Sequence, residues 1–276
     1  MRSGQNQYPP MAGVAALREA IAAKVSNLYG LACDADTEIT VTAGATEALF
    51  CAIAAVVHAG DEVIVLDPAY DSYDPVIRLQ GAVPVHVPLS APTYRIDWDR
   101  IEAAITANTR LLILNSPHNP TGMVMDENDI AALSALCAKY DIYLIGDEVY
   151  EHMVFDRARH LSLCGYAELY ARSFVISSFG KTYHVTGWKV GYCVAPPALT
   201  TEFRRVHQYV TFTVNTPVQL GIAEFLQHHP EHHQRLPGFY QTKRDLFCEL
   251  FKGSRFAVSP SQGTYFQLLG FAAISA

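Results

Sequence analysis

The residue with the clearest chemical promise is Lys181, in the stretch Ser177-Ser178-Phe179-Gly180-Lys181-Thr182-Tyr183-His184-Val185-Thr186-Gly187-Trp188-Lys189-Val190-Gly191-Tyr192. The apolar run Phe174-Val175-Ile176 leads into it and predicts a buried strand that ends in a small-residue loop with Lys181 at its tip. Open α/β sheets place their ligands just past such strand ends. A single lysine is ordinarily a solvated surface charge. Here hydroxyls, glycines and apolar residues surround it, and no neighbouring acid makes an ordinary ion pair. An amine in an apolar pocket is a nucleophile toward carbonyl carbon and forms Schiff bases.

Two cofactor readings compete. Gly180-Lys181-Thr182 is the tail of a phosphate-binding P-loop, G-x-x-x-x-G-K-[ST], but the motif's first glycine falls on Val175. A β-branched side chain there cannot make the tight turn. The other reading is a lysine that holds pyridoxal phosphate (PLP), which demands partners elsewhere in the chain.

Those partners have candidates at other strand ends. Thr42-Ala43-Gly44-Ala45-Thr46-Glu47 opens a helix, where small residues and free N–H groups suit an anion; the plain alternative is an N-cap by Thr42 or Thr46. Tyr70, in Asp67-Pro68-Ala69-Tyr70, suits stacking on a flat ring or simple core packing. Asn115-Ser116-Pro117-His118-Asn119-Pro120 predicts a rigid non-helical loop able to fix the Asn119 amide, with a plain turn as the alternative. Asp147 ends an apolar strand, and a desolvated carboxylate needs a cation such as a protonated pyridine nitrogen. Tyr150, three residues on, reaches the same ring if the segment turns helically. His228-His229-Pro230-Glu231-His232-His233 raises metal binding, though the proline favours a solvated helix entry.

The elements that must position these residues alternate. Strands are expected at 38–41, 62–66, 82–87, 110–115, 142–145, 173–177 and 190–195. Helical patterns fall at 14–28, 46–58, 129–140, 201–209, 217–227 and 236–252. Alternation predicts βαβ units and a largely parallel sheet, and Leu111-Leu112-Ile113-Leu114 fits a sheet covered on both faces. The chain has 276 residues, half of them apolar, and a net charge of −7, which argues against nucleic-acid or anionic-membrane surfaces. No apolar run spans a membrane and no signal peptide is evident. Six scattered cysteines without a C-x-x-C pair suggest free thiols in a reducing cytoplasm.

Together these motifs resemble the fold-type I, PLP-dependent aminotransferases of the class I/II superfamily, in particular the methionine aminotransferase and kynurenine/glutamine transaminase subgroup. The resemblance rests on N-x-Y-x-P-M-x-G-x-x-x-L-R-E-A-I at 6–21, V-T-A-G-A-T-E-A-L at 41–49, D-P-x-Y-D-S-Y at 67–73, P-H-N-P-T-G at 117–122, D-E-V-Y-E-H at 147–152 and the whole of 177–192. It implies a three-layer α/β/α large domain with a mainly parallel seven-stranded sheet. It implies that Lys181 carries PLP as a Schiff base and moves the substrate's α-proton. Asp147 then pairs with the pyridinium nitrogen, Asn119 and Tyr150 bond the phenolate oxygen, and Tyr70 stacks on the ring. Gly44, Ala45, Thr46, Ser178 and Lys189 make the phosphate site, Lys189 standing where some relatives have arginine. Tyr8 reaches the phosphate of a neighbouring subunit, which implies a homodimer. The substrates implied are an amino acid (methionine, aromatic or glutamine-like) and a 2-oxo acid, with no nucleic-acid or membrane partner.

The resemblance also sets expectations for the ends. Residues 1–228 are expected to form the PLP-binding large domain and 229–276 the start of a small domain that is mostly missing, along with its carboxylate-binding arginine. Residues after about 253 are expected to pack irregularly and to expose Phe256, Tyr265, Phe266 and Leu268, and the chain to bind PLP yet transaminate slowly. Beside the aminotransferase stand a PLP-dependent carbon–sulfur β-lyase, a non-catalytic PLP-binding remnant and a P-loop nucleotidase.

Overall fold

The computed structural model describes residues 4–274. In chain order the elements are α1 (Ala15–Tyr29), β1 (Ile39–Thr42), α2 (Gly44–Val56), β2 (Glu62–Asp67), α3 (Tyr73–Leu79), β3 (Val83–Pro88), α4 (Trp98–Ala104), β4 (Thr109–Asn115), α5 (Glu127–Lys139), β5 (Tyr143–Asp147), α6 (Ala167–Tyr170), β6 (Ser173–Ser178), α7 (Phe179–Thr182), β7 (Gly191–Val194), α8 (Pro197–Val210), α9 (Thr216–His228), α10 (Leu236–Leu250), β8 (Ala257–Val258) and β9 (Leu269–Gly270).

The first seven strands form one sheet in the order β1-β7-β6-β5-β4-β2-β3. Only β7 runs against its neighbours, antiparallel to both β1 and β6. The seven expected strands are all present, with ends moved by one or two residues. Side chains alternate between faces, as the two-residue repeat of a strand requires. Ile64, Leu112, Leu114, Leu144 and Val175 join one core with Leu17, Ile21, Ile130, Leu133 and Ile222 from α1, α5 and α9. Val63, Val65, Leu111, Ile113, Phe174 and Ile176 join the other with Leu49, Ile53, Ile77 and Phe203 from α2, α3 and α8. The result is the three-layer arrangement that two apolar sheet faces demand.

Register brings the chemistry to one edge. Asn115 pairs with Asp147, and Asp147 with Ile176, so the ends of β4, β5 and β6 lie side by side. Gly191 of β7 pairs with Thr42 on one side and Ser178 on the other. A Cβ on Gly191 would stand 2.8 Å from the Ala45 amide nitrogen, so only glycine lets β7 back onto the start of α2.

Several expectations are corrected. Lys181 lies in the single helical turn α7, not at a loop tip. Val175 sits mid-strand, paired to β5 and β7, so no phosphate loop starts there. Helices α3 and α4, seven residues each, are too short to show a helical period and were not foreseen. Neither Thr42 nor Thr46 caps α2, whose N-cap is Ala43. In the 228–233 segment His228 and His229 are exposed, as a solvated entry requires, but His232 and His233 are half-buried: His232 stacks on Tyr183 at 5.3 Å and His233 tilts over His152 at 4.4 Å. The C-terminal segment is more ordered than expected. β8 and β9 pair, the Gln262 and Gly263 amides donate to the Gly122 carbonyl, and Thr264 is fully buried. Phe256 and Tyr265 are exposed as expected, but Phe266 and Leu268 are half-buried.

Candidate active site

One cavity of about 320 Å³ opens at the shared strand edge. Gly44, Ala45, Thr46, Tyr70, Asn119, Asp147, Tyr150, Ser178, Lys181 and Lys189 all line it. Of the site residues that the resemblance implies, only Tyr8 lies outside it. It is 83% exposed, edge-on to Phe212 at 5.7 Å.

The anion side comes from the start of α2. The first N–H groups of a helix have no partner within it, and its dipole favours negative charge. Lys189 adds an amine: it lies 3.7 Å from where a Gly44 Cβ would be. Lys189 takes a left-handed backbone (φ 52°) at the end of the turn Thr186–Trp188, a conformation uncommon for a side-chain-bearing residue and frequent at binding sites. Ser178 completes the edge, its hydroxyl accepting from the Gly180 amide at 3.1 Å as the cap of α7.

Asp147 is a second electrostatic feature of the same cavity. The Tyr73 hydroxyl donates to its Oδ2 at 2.6 Å, and the Val149 amide donates to Oδ1 at 3.4 Å. Burial pushes its carboxyl up to about 6, against the pull of the Tyr73 hydrogen bond. Among the described residues it makes no ion pair. A buried carboxylate without a cation, on a cavity also lined by the start of a helix and an amine, fits a ring with a protonated nitrogen and a phosphate.

Lys181 Nζ donates to the Tyr265 hydroxyl at 2.8 Å and lies 6.0 Å from the centre of the Tyr150 ring. Tyr150 and Tyr265 meet edge to face at 5.4 Å. Burial raises the Tyr150 hydroxyl well above its ordinary value, so it is a donor at neutral pH. Asn119 is held by its own backbone: its amide N–H donates to the Asn115 side-chain oxygen at 2.6 Å, and the Asn115 side chain in turn donates to the Asp147 carbonyl at 2.8 Å.

Behind this layer is a network that sequence reasoning missed. Glu151, buried under β6, accepts from Lys24 Nζ at 2.6 Å, from the Ser177 hydroxyl and from Tyr29. Burial is the largest single influence and raises its carboxyl, but the Lys24 and His152 charges and the hydrogen bonds from Lys24 and Ser177 together hold it well below the usual carboxylate range. Lys24 sits within the helical pattern of α1, where a lone charge reads as surface; only its fold neighbours give it a role. Tyr73, Tyr265 and Phe266 were likewise not singled out as site residues, though Tyr73 closes the D-P-x-Y-D-S-Y motif.

The geometry agrees with comparison to known proteins. The chain matches the family "Aminotransferase class I and II" over residues 1–276. It is 52% identical to methionine aminotransferase of Escherichia coli over 272 residues, covering 99% of this chain and 70% of that protein. It is 36% identical to kynurenine–oxoglutarate transaminase of Dictyostelium discoideum, covering 95% of this chain and 65% of that one. The crystal structure of YbdL from Escherichia coli, reported with a methionine aminotransferase function, superposes with a TM-score of 0.97 at 52% identity over 100% of this chain and 73% of that one. N-succinyldiaminopimelate aminotransferase from Mycobacterium tuberculosis gives a TM-score of 0.93 at 40% identity, covering 96% and 69%. The chain belongs to the class I and II aminotransferases, PLP-dependent enzymes that move an amino group from an amino acid to a 2-oxo acid. No helix among the described residues is long and apolar enough to cross a membrane.

Proposed function

We propose that Lys181 is the covalent anchor for PLP and the proton carrier of an aminotransferase whose donor is methionine or an aromatic or glutamine-like amino acid. The observation that carries this reading is that Lys181 and the uncompensated Asp147 open on one cavity whose edge is the start of α2. When bound, PLP supplies a carbonyl for the incoming amine and a sink for the electrons left at the α-carbon.

The chain's own residues do the rest. Lys181 Nζ, once displaced by the substrate amine, would take the proton from the substrate α-carbon and deliver it to the cofactor carbon on the other side of the amine nitrogen. Asp147 keeps a proton on the ring nitrogen by charge pairing. The Tyr150 hydroxyl and Asn119 amide donate to the ring oxygen, and Tyr70 covers a ring face. Gly44, Ala45, Thr46, Ser178 and Lys189 hold the phosphate; Lys189 supplies a point charge without the fork of an arginine.

The donor class rests on the 52% identity to an enzyme that uses methionine and on the apolar rim that Phe266 adds to the cavity. A homodimer is supported by Tyr8 and Phe212, which stand exposed together on the surface. A cytoplasmic setting is supported by the cysteines, which are free at all six positions. A division into units at 228/229 is supported by the separate β8–β9 pair. Turnover with methionine, phenylalanine, glutamine and aspartate against a panel of 2-oxo acids tests the donor: methionine should lead, and aspartate as best donor would refute the reading.

A further inference from the structure

Three buried donor groups, Glu47, Cys51 and His207, lie within 4.8 Å of one another beneath the start of α2. Their spacing is that of hydrogen bonds. His207 Nδ1 is 2.7 Å from Glu47 Oε1, and the Cys51 thiol donates to the same oxygen at 3.0 Å. Ligand atoms around a tetrahedral zinc stand about 3.3–3.8 Å apart, from bond lengths of about 2.0–2.3 Å. The cluster is therefore built around protons, not around a metal.

The partners assign those protons. His207 Nε2 is 3.0 Å from the Met11 carbonyl, which only accepts, so Nε2 carries a hydrogen. Glu47 is met by donors on both oxygens: Oε2 accepts from the Ala43 amide at 2.9 Å, and Oε1 faces Cys51 and His207 Nδ1. His207 is fully buried on α8 and Glu47 nearly so on the first turns of α2. A buried carboxylate one turn from an anion site opposes the anion unless a cation neutralises it.

We infer that His207 is a positioning residue for the cofactor phosphate: through Glu47 it fixes the Ala43–Thr46 turn and cancels a carboxylate charge that would otherwise repel the anion. Glu47 draws the Ala43 N–H inward, which leaves the next N–H groups of α2 facing the cavity. The bond from Nε2 to Met11 ties the same turn to the segment that carries Tyr8. This rests on the reading of Ala45, Thr46 and Lys189 as the phosphate site.

The test compares PLP with pyridoxal, which lacks the phosphate, each titrated by absorbance into the full chain. His207→Gln keeps size and polarity but cannot carry the positive charge that offsets Glu47. It should weaken PLP on the order of tenfold and pyridoxal by less than about twofold. Adding Glu47→Gln, which removes the uncompensated buried charge, should restore PLP to within about threefold of the unaltered chain. Equal loss of both ligands, whether through unfolding or not, would make the pair a feature of the fold alone and overturn the inference. So would an unchanged preference for PLP in His207→Gln, or failure of the second substitution to restore it. An unaltered chain with no preference for PLP over pyridoxal would instead refute the phosphate site itself, and the inference with it.

Discussion

The Tyr73 hydroxyl donates to Asp147 Oδ2 across 2.6 Å, and no cation reaches that carboxylate among the described residues. A neutral phenol keeps the carboxyl in place without satisfying its charge. The pair thus prepares Asp147 for a cationic partner that arrives with the cofactor.

Asp147→Asn should therefore still bind PLP but lose the means of keeping the ring nitrogen protonated. Exchange of the substrate α-hydrogen for deuterium should slow by a factor on the order of 10² or more, the size of effect expected when a positioned charge is removed from a reacting system. Near-normal exchange in that variant would remove Asp147 from the mechanism.

The same residue sets a pH dependence in the cofactor-free chain. Its folded-state carboxyl titrates near 6, above the ordinary 3.8, so the fold prefers the protonated form. Its contribution is fully favourable below about pH 4 and is lost as pH rises through 6, by about 3 kcal/mol for a shift of this size. Denaturant titrations of the apoprotein should show Asp147→Asn gaining on the unaltered chain between pH 4 and 7. A constant difference across that range would contradict the shift.

Lys181 is tested directly. Borohydride reduction of the PLP-loaded chain followed by peptide mapping should place the label on Lys181. A label on another lysine, or a reducible adduct in Lys181→Ala, would displace it from its role.

The Lys24–Glu151 pair predicts a stability defect remote from the chemistry. Lys24→Met leaves Glu151 buried without its cation, which should cost about 3–5 kcal/mol at neutral pH. Since the Lys24 charge lowers the Glu151 carboxyl, the defect should shrink as acid protonates Glu151 in the variant. Equilibrium unfolding at pH 7 and pH 5 measures both.

Tyr8 predicts complementation between subunits. Lys181→Ala has no anchor and Tyr8→Ala lacks the arm, yet a mixed dimer contains one site with both residues. Mixing the two variants should recover tight PLP binding at a fraction of the sites, while either alone stays weak. No recovery on mixing would show that Tyr8 does not cross to a neighbour.

The strands and most of the site were legible in the sequence for a local reason. Each strand of a covered parallel sheet is a short apolar run, and the residue that follows it is at the sheet's edge whatever the topology, so Gly44, Tyr70, Asn119, Asp147 and Lys181 announced themselves by position. Short helices such as α3 and α4 did not, because seven residues give fewer than two full turns of pattern. Tertiary structure decided the rest. Whether Asp147 meets a cation or a phenol depends on a tyrosine 74 positions away. Lys24 finds Glu151 across 127 positions, and His207 finds Glu47 across 160. A charge on a helix reads as solvated until the neighbour that buries it is known. Burial and pairing are sums over contacts distant in sequence, so the residues that carry the chemistry were visible in the chain, while those that tune it emerged only when the sheet edge closed around them.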